Sequence, residues 1–462
     1  MDRLTRRHFT KYMVAAAATA SVEIPSSAVF ADDPVQGERP EQHASVEVLN
    51  PCGRVPLSFV IDDSTCLVNL NRFAIPQFAA AWKYQRYHHD WRKMPVEIPD
   101  AFVRKFGEWS AERDIKGKYS IVPYPACVGR VDRELPGWTS RELAASLDLV
   151  RKLMLPGWDI HPEMVTHTRV IDTNTGHPIP KFGLEYMENW RWADGKSVDE
   201  LADYLSYGLQ ILKNVGLPCE GVTTPGGFGG GVRGELSQAV LQSVRDVFSA
   251  EIPHYFKYVN SSGDTSVQPH VEYASGLTTD DPRCVVSLIA CTGDWTGGWD
   301  CSNRGDVDRF ITADLKKGRM VEVIDRGEPA LMLCHWTGIY FNGEEVGFKI
   351  FQEAVRRLHI KYDNLLWMKL SDIARYWAAK QLTGIEMKND RMHFNAPFAT
   401  DSFTVQVKTK SHNLPRLVTG EKQSQFAEVR DFLKLKSGTF VRADRSVTIC
   451  FDLPKGASEL VL

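Results

Sequence analysis

Two adjacent carboxylates, Asp62 and Asp63, follow directly on the apolar run Leu57-Ser58-Phe59-Val60-Ile61. The carboxyl ends of buried strands are where α/β sheets and barrels gather their active sites. Two acids side by side are costly there unless a cation or a proton accommodates them. One can ligate a metal while the other, directed elsewhere, serves as a base. An Asp-Asp turn that caps a helix is the bland alternative. A second cluster is Trp158-Asp159-Ile160-His161-Pro162-Glu163-Met164-Val165-Thr166-His167-Thr168. Glu163 and His167 stand four apart, so one helical turn would set both on one face, a spacing suited to a shared metal. His161 offers a further ligand. A third group is Cys334-His335-Trp336, again after an apolar strand, where a histidine can serve as an acid or simply pack against the indole. The loop Thr223-Thr224-Pro225-Gly226-Gly227-Phe228-Gly229 lacks the Gly-Lys-Ser/Thr ending that cradles phosphate, and reads as the rim of a cleft. Trp295 and Trp299 flank glycines beside Asp294 and Asp300, a combination suited either to stacking on sugar rings or to packing.

These residues need strands and helices to place them. Leu57–Ile61, Tyr119–Pro123, Trp158–Ile160, Cys219–Val222 and Leu331–Cys334 read as short buried strands. Between them, helical spacing predicts helices over 75–84, 100–112, 198–215, 237–248, 347–358 and 371–380. Another opens with the capping box of Thr139 and Glu142. From Ile385 onward, short alternating runs separated by turn residues replace the helical period. Strands alternating with helices argue for a parallel sheet or barrel over 46–382, and the last segment, 383–462, for a small antiparallel β-domain. Residues 32–45 are polar and proline-containing, and read as a flexible lead-in.

The chain has 462 residues, enough for a large α/β domain and a smaller one. Thr5-Arg6-Arg7-His8-Phe9-Thr10-Lys11, the alanine-rich stretch after it and the small residues up to Ala31 predict a twin-arginine signal peptide over 1–31. That implies passage through the Tat export machinery to the periplasm or beyond. Without those residues the net charge of −3 becomes −5, with no basic footprint for nucleic acid or anionic membrane. No later segment is long and apolar enough for a membrane span. All nine cysteines follow the signal, an odd number whose spacings match no zinc knuckle. Most are expected to be buried thiols, with room for one or two disulfides.

In this order, the clusters resemble the motifs of the polysaccharide deacetylases, carbohydrate esterase family four and its relatives, over residues 55–380. Phe59-Val60-Ile61-Asp62-Asp63 is similar to the family's Thr-Phe-Asp-Asp, which implies Asp62 as catalytic base and Asp63 as metal ligand. Asp159 through Thr168 resembles the second motif, with His167 as its second histidine and Glu163 where the first should stand. Thr224-Pro225-Gly226 sits where the family has Arg-x-Pro, without the arginine. Leu333-Cys334-His335 resembles the late Leu-x-His motif, implying His335 as general acid. The implied fold is α/β: a (β/α) barrel of the glycoside hydrolase/deacetylase type, open to distortion, with a small sandwich-like all-β domain after it. The implied activity is metal-dependent removal of acetyl groups from a carbohydrate. Zinc is the first choice of divalent ion, and Asp63, Glu163 and His167 form the ligand set, with His161 as substitute. Trp295, Trp299 and Thr224 are the expected substrate contacts. Two rival readings are a carbohydrate-binding relative without catalysis and a glycoside hydrolase on the same barrel.

Overall fold

The computed structural model describes residues 36–388, 391–409 and 411–462. The expected twin-arginine segment lies outside them. The principal domain is built around β1 (Val55–Asp62), β2 (Gly117–Ser120), β3 (Trp158–His161), β4 (Gly221–Thr223), β5 (His254–Val259), β6 (Arg283–Ala290) and β7 (Ala330–His335). Parallel pairing runs β7-β1-β2-β3 in one sheet and β4-β5-β6 in another. The sheets meet at two seams. At one, Thr223 donates its N–H to Pro162 (3.0 Å), and Glu163 and Thr223 form a parallel bridge. At the other, Cys291 donates to the Leu331 carbonyl (2.9 Å). The result is a distorted barrel with irregular closure, as the resemblance implied. Every residue of β1 is buried, because one face meets the interior and the other meets helices.

The helices pack outside. Helix Ser140–Leu149 begins with the expected capping box, in which Thr139 Oγ1 accepts from the Glu142 N–H (3.2 Å) and Glu142 accepts from Thr139 (2.7 Å). Ser197 and Glu200 open helix Val198–Asn214 in the same way, and its Leu201, Leu205, Leu209 and Leu212 stripe joins the core. Helix Leu370–Leu382 places Leu370, Ile373 and Trp377 in one buried core with Val60, Phe256 and Leu331. No helix among the described residues is long and apolar enough to cross a membrane.

After this helix the chain forms two five-stranded sheets with a shared apolar core that includes Phe394, Phe403, Phe440 and Phe451. The small β-domain is thus a sandwich, but it borrows from the other end of the chain. Val46–Val48, expected within the barrel domain, pairs with Thr400–Lys408 and buries Val46 and Val48 in the sandwich. The expected flexible lead-in is likewise engaged from residue 36 onward. Gln36-Gly37 pairs with strand His270–Ser275, and Gln42 bridges to Ile385. Polar side chains did not prevent backbone pairing with a free sheet edge.

Candidate active site

Asp63 follows the last residue of β1 and adopts a left-handed conformation (φ 61°), as does His167 (φ 61°). Non-glycine residues in this region carry strain that the surrounding structure must hold. Here the strain turns both side chains toward one point. His167 Nε2 lies 2.8 Å from Asp63 Oδ1 and 3.1 Å from Glu163 Oε1. The Asp63 N–H donates to the other Glu163 oxygen (2.7 Å). One ligand atom from each residue lies within 4.8 Å of the others, and all three side chains are buried. The expected helical turn between Glu163 and His167 does not form. A loop with left-handed Met164 and His167 brings them together instead.

This set fits a divalent cation. Asp63 Oδ2 is buried without a hydrogen-bond partner and Oδ1 faces only the His167 ring, a costly state unless a positive charge faces the carboxylate. In its place a proton serves: burial alone would lower the His167 pKa, but Asp63 and Glu163 outweigh it and raise it well above the usual value. Burial opposes ionisation of Glu163 too, yet His167, Lys118 and the Asp63 N–H hold its carboxyl at about 2. An ion bound here would displace the histidine proton. The Asn189 side chain lies 3.4 Å from His167 Nδ1, and its own Oδ1 has no partner. Turning that amide over lets Nδ1–H donate to Oδ1, which leaves Nε2 free to ligate.

The glycine-rich loop contributes as a buttress. Gly227 donates to the Asn189 carbonyl (2.7 Å), and a Cβ on Gly226 (φ 47°) would lie 2.6 Å from that oxygen. Only glycine fits so close an approach. Glu188 holds the ligand loop from the other side, accepting from the backbone N–H groups of Thr166 (3.1 Å) and His167 (2.6 Å) and from the Tyr204 hydroxyl. Burial raises its carboxyl to about 7 against these bonds. Tyr204→Phe, which removes one bond to this buried acid, should cost about 1.5–3 kcal/mol in urea unfolding. An unchanged midpoint would remove Glu188 from this role.

Asp62 points to a partner that sequence reading missed. Lys118, fully buried on β2, donates to an Asp62 oxygen, to the Ile61 carbonyl (2.9 Å) and to Ser120 Oγ (2.8 Å). All three ammonium protons are used. A lysine therefore stands against Asp62, the base that the sequence resemblance implies. Burial raises the Asp62 carboxyl to about 6, while Lys118 pulls the other way. Opposite it in register on β7 is His335, whose Nδ1 lies 2.7 Å from Asp294. Burial works to lower this imidazole, but Asp63, Asp294 and Asp62 prevail and raise it to about 10. Asp294 was also missed as a partner, since 41 positions separate it from His335.

Three expectations change. His161 does not join the ligand set. It ends β3 inside the barrel, and its Nε2 lies 3.0 Å from His254 Nε2, the two rings meeting over Gly221. Trp295 is no stacking platform: it is 6% exposed, with Phe310 at its edge and the Arg309 guanidinium 4.3 Å from its ring centre. Trp299 is half-buried and shares a face with Arg86 at 5.2 Å. Thr224 is buried beside the Glu163 bridge, with no partner for its hydroxyl.

No protein-family model matches the chain, and no curated protein does. Among solved structures, it is similar to one described as a probable polysaccharide deacetylase from Pseudomonas aeruginosa, with 11% identity over 70% of this chain and 91% of that one, at a TM-score of 0.39. One described as a putative glycoside hydrolase/deacetylase from Parabacteroides distasonis shows 10% identity over 81% and 85%, at 0.40. An allantoinase shows 12% over 75% and 95%, at 0.36. The functional reading rests on the side chains of the site.

Proposed function

We propose that the chain is a metal-dependent hydrolase that removes acyl groups, acetyl foremost, from a carbohydrate outside the cytoplasm. The observation that carries this reading is a base and an acid prepared in opposite charge states on neighbouring strands. Asp62 is paired with Lys118 and His335 with Asp294, next to the Asp63, Glu163 and His167 group. The sequence motif over residues 1–31 supports the location, with the Tat machinery as export partner.

Asp63, Glu163 and His167 would hold the ion, which when bound polarises an acyl carbonyl and stabilises the charge that develops on its oxygen. Zinc suits the histidine, and the two carboxylates also suit harder divalent ions. Asp62 accepts the proton of the attacking water. With its carboxyl at about 6 it is mostly ionised at neutral pH yet basic enough to hold that proton. Lys118 fixes its orientation. His335, protonated at neutral pH, gives a proton to the leaving amine or alkoxide, and Asp294 holds its ring in place. The exposed part of Trp299 is the proposed sugar contact.

A screen of acetylated oligosaccharides with zinc-loaded protein should yield acetate from at least one class. Binding without release across the screen would favour the non-catalytic relative. Asp294→Asn should lower kcat by about 10²-fold or more at nearly constant KM, because the His335 ring loses both charge support and orientation. An unchanged kcat would remove His335 from the acid role.

A further inference from the structure

Two cysteines far apart in sequence meet where the segment before β1 touches the sandwich. Cys52 Sγ lies 3.9 Å from Cys450 Sγ. Cys450 is buried in strand Ser446–Leu453, whereas Cys52 is half-buried and reachable from solvent. Their approach is built into the backbone. Cys52 adopts a left-handed conformation (φ 53°), held by its N–H donating to Thr404 Oγ1 (2.9 Å). Thr404 is also the cross-strand partner of Cys450. One residue thus fixes both thiols. Arg54, two residues on, is anchored to the Leu433 carbonyl of the sandwich (2.7 Å). Other thiols differ: burial pushes Cys66 and Cys291 up to about 12, where they are inert at neutral pH. At Cys52 the Cys450 S–H outweighs burial, with help from Ser402 and Arg54, and the thiol falls to about 6.

We propose that Cys52 and Cys450 are an oxidative modification site, closed into a disulfide by exchange with a small-molecule disulfide of the glutathione class. The Cys52 thiolate attacks one sulfur of the oxidant, forming a mixed disulfide and breaking the oxidant's S–S bond. The first small thiol leaves with the proton that Cys52 lost. Cys450 then attacks Cys52 Sγ, and the second small thiol leaves with the Cys450 proton. Two protein thiols are oxidised and one disulfide is reduced to two thiols. The sulfurs must close from 3.9 Å to about 2 Å, which rotation of the half-buried Cys52 side chain would supply. The product joins the entry to β1, the strand that carries Asp62 and Asp63, to the C-terminal sheet.

The test uses the full chain, reduced, then incubated with oxidised glutathione, unfolded and titrated for thiols, with peptide mapping of the same sample. The nine thiols should fall to seven, and the Cys52 and Cys450 peptides should emerge joined. Cys52→Ser, a change at a half-buried position, should keep its remaining eight thiols. Nine thiols after incubation, glutathione retained on Cys52, or a cross-link between other cysteines would each overturn the proposal.

Discussion

Replacing Lys118 by methionine should destabilise the protein by about 3–5 kcal/mol, because the Asp62 carboxylate would remain buried without its ammonium partner. The Ile61 carbonyl and the Ser120 hydroxyl lose a donor in the same step. Methionine fills a similar volume, so the loss is electrostatic rather than a cavity effect. Denaturant unfolding of the single variant measures it. The double variant Lys118→Met with Asp62→Asn removes the stranded charge and should recover at least about 1.5 kcal/mol, a coupling expected of groups in direct contact. Neither variant should turn over substrate, since one lacks the base and the other its support. A single variant within about 1 kcal/mol of the parent would show that Lys118 does not carry the pair.

Asp63→Asn should weaken zinc binding by at least about 100-fold, as read by calorimetric titration of chelator-stripped protein. Loss of a residue merely supporting a ligand costs 10–100-fold, and Asp63 is a ligand itself. Asparagine is the informative choice because it tolerates the left-handed backbone at this position. The variant keeps the turn and loses the charge. His167 should also lose part of the support for its proton, since Asp63 is the first of the two carboxylates that raise it. Equal zinc affinity in parent and variant would break the proposed ligand set.

Local chemistry made much of this site legible. β1 ends at Asp62 with Asp63 next in the chain, and an apolar run that stops at charge marks a buried strand meeting the barrel mouth. The Thr139–Glu142 cap could be read because both partners lie within one turn. What stayed hidden depends on distant pairing. Lys118 precedes an apolar run, and nothing in its neighbours says that Asp62, 56 positions away, will neutralise it. Asp294 reaches His335 only once β7 is in place. Strand β5, His-Tyr-Phe-Lys-Tyr-Val, is buried on both faces and so lacks the alternation that would announce it. Glu163 and His167 do meet, as their four-residue spacing suggests, but through left-handed loop residues rather than on a helix. Helix Leu70–Ala81 starts earlier than its apolar spacing implied, since Asn69 gives no side-chain cap and Pro76 lies within it.

The central claim is that hydrolysis at this site requires the ion held by Asp63, Glu163 and His167. Chelator-stripped protein, titrated with zinc while acetate release from an acetylated oligosaccharide is recorded, tests it most directly. The account predicts negligible release at first, then a rise in proportion to zinc that levels at one ion per chain. Full acetate release from the stripped protein, unaffected by added zinc, would contradict it.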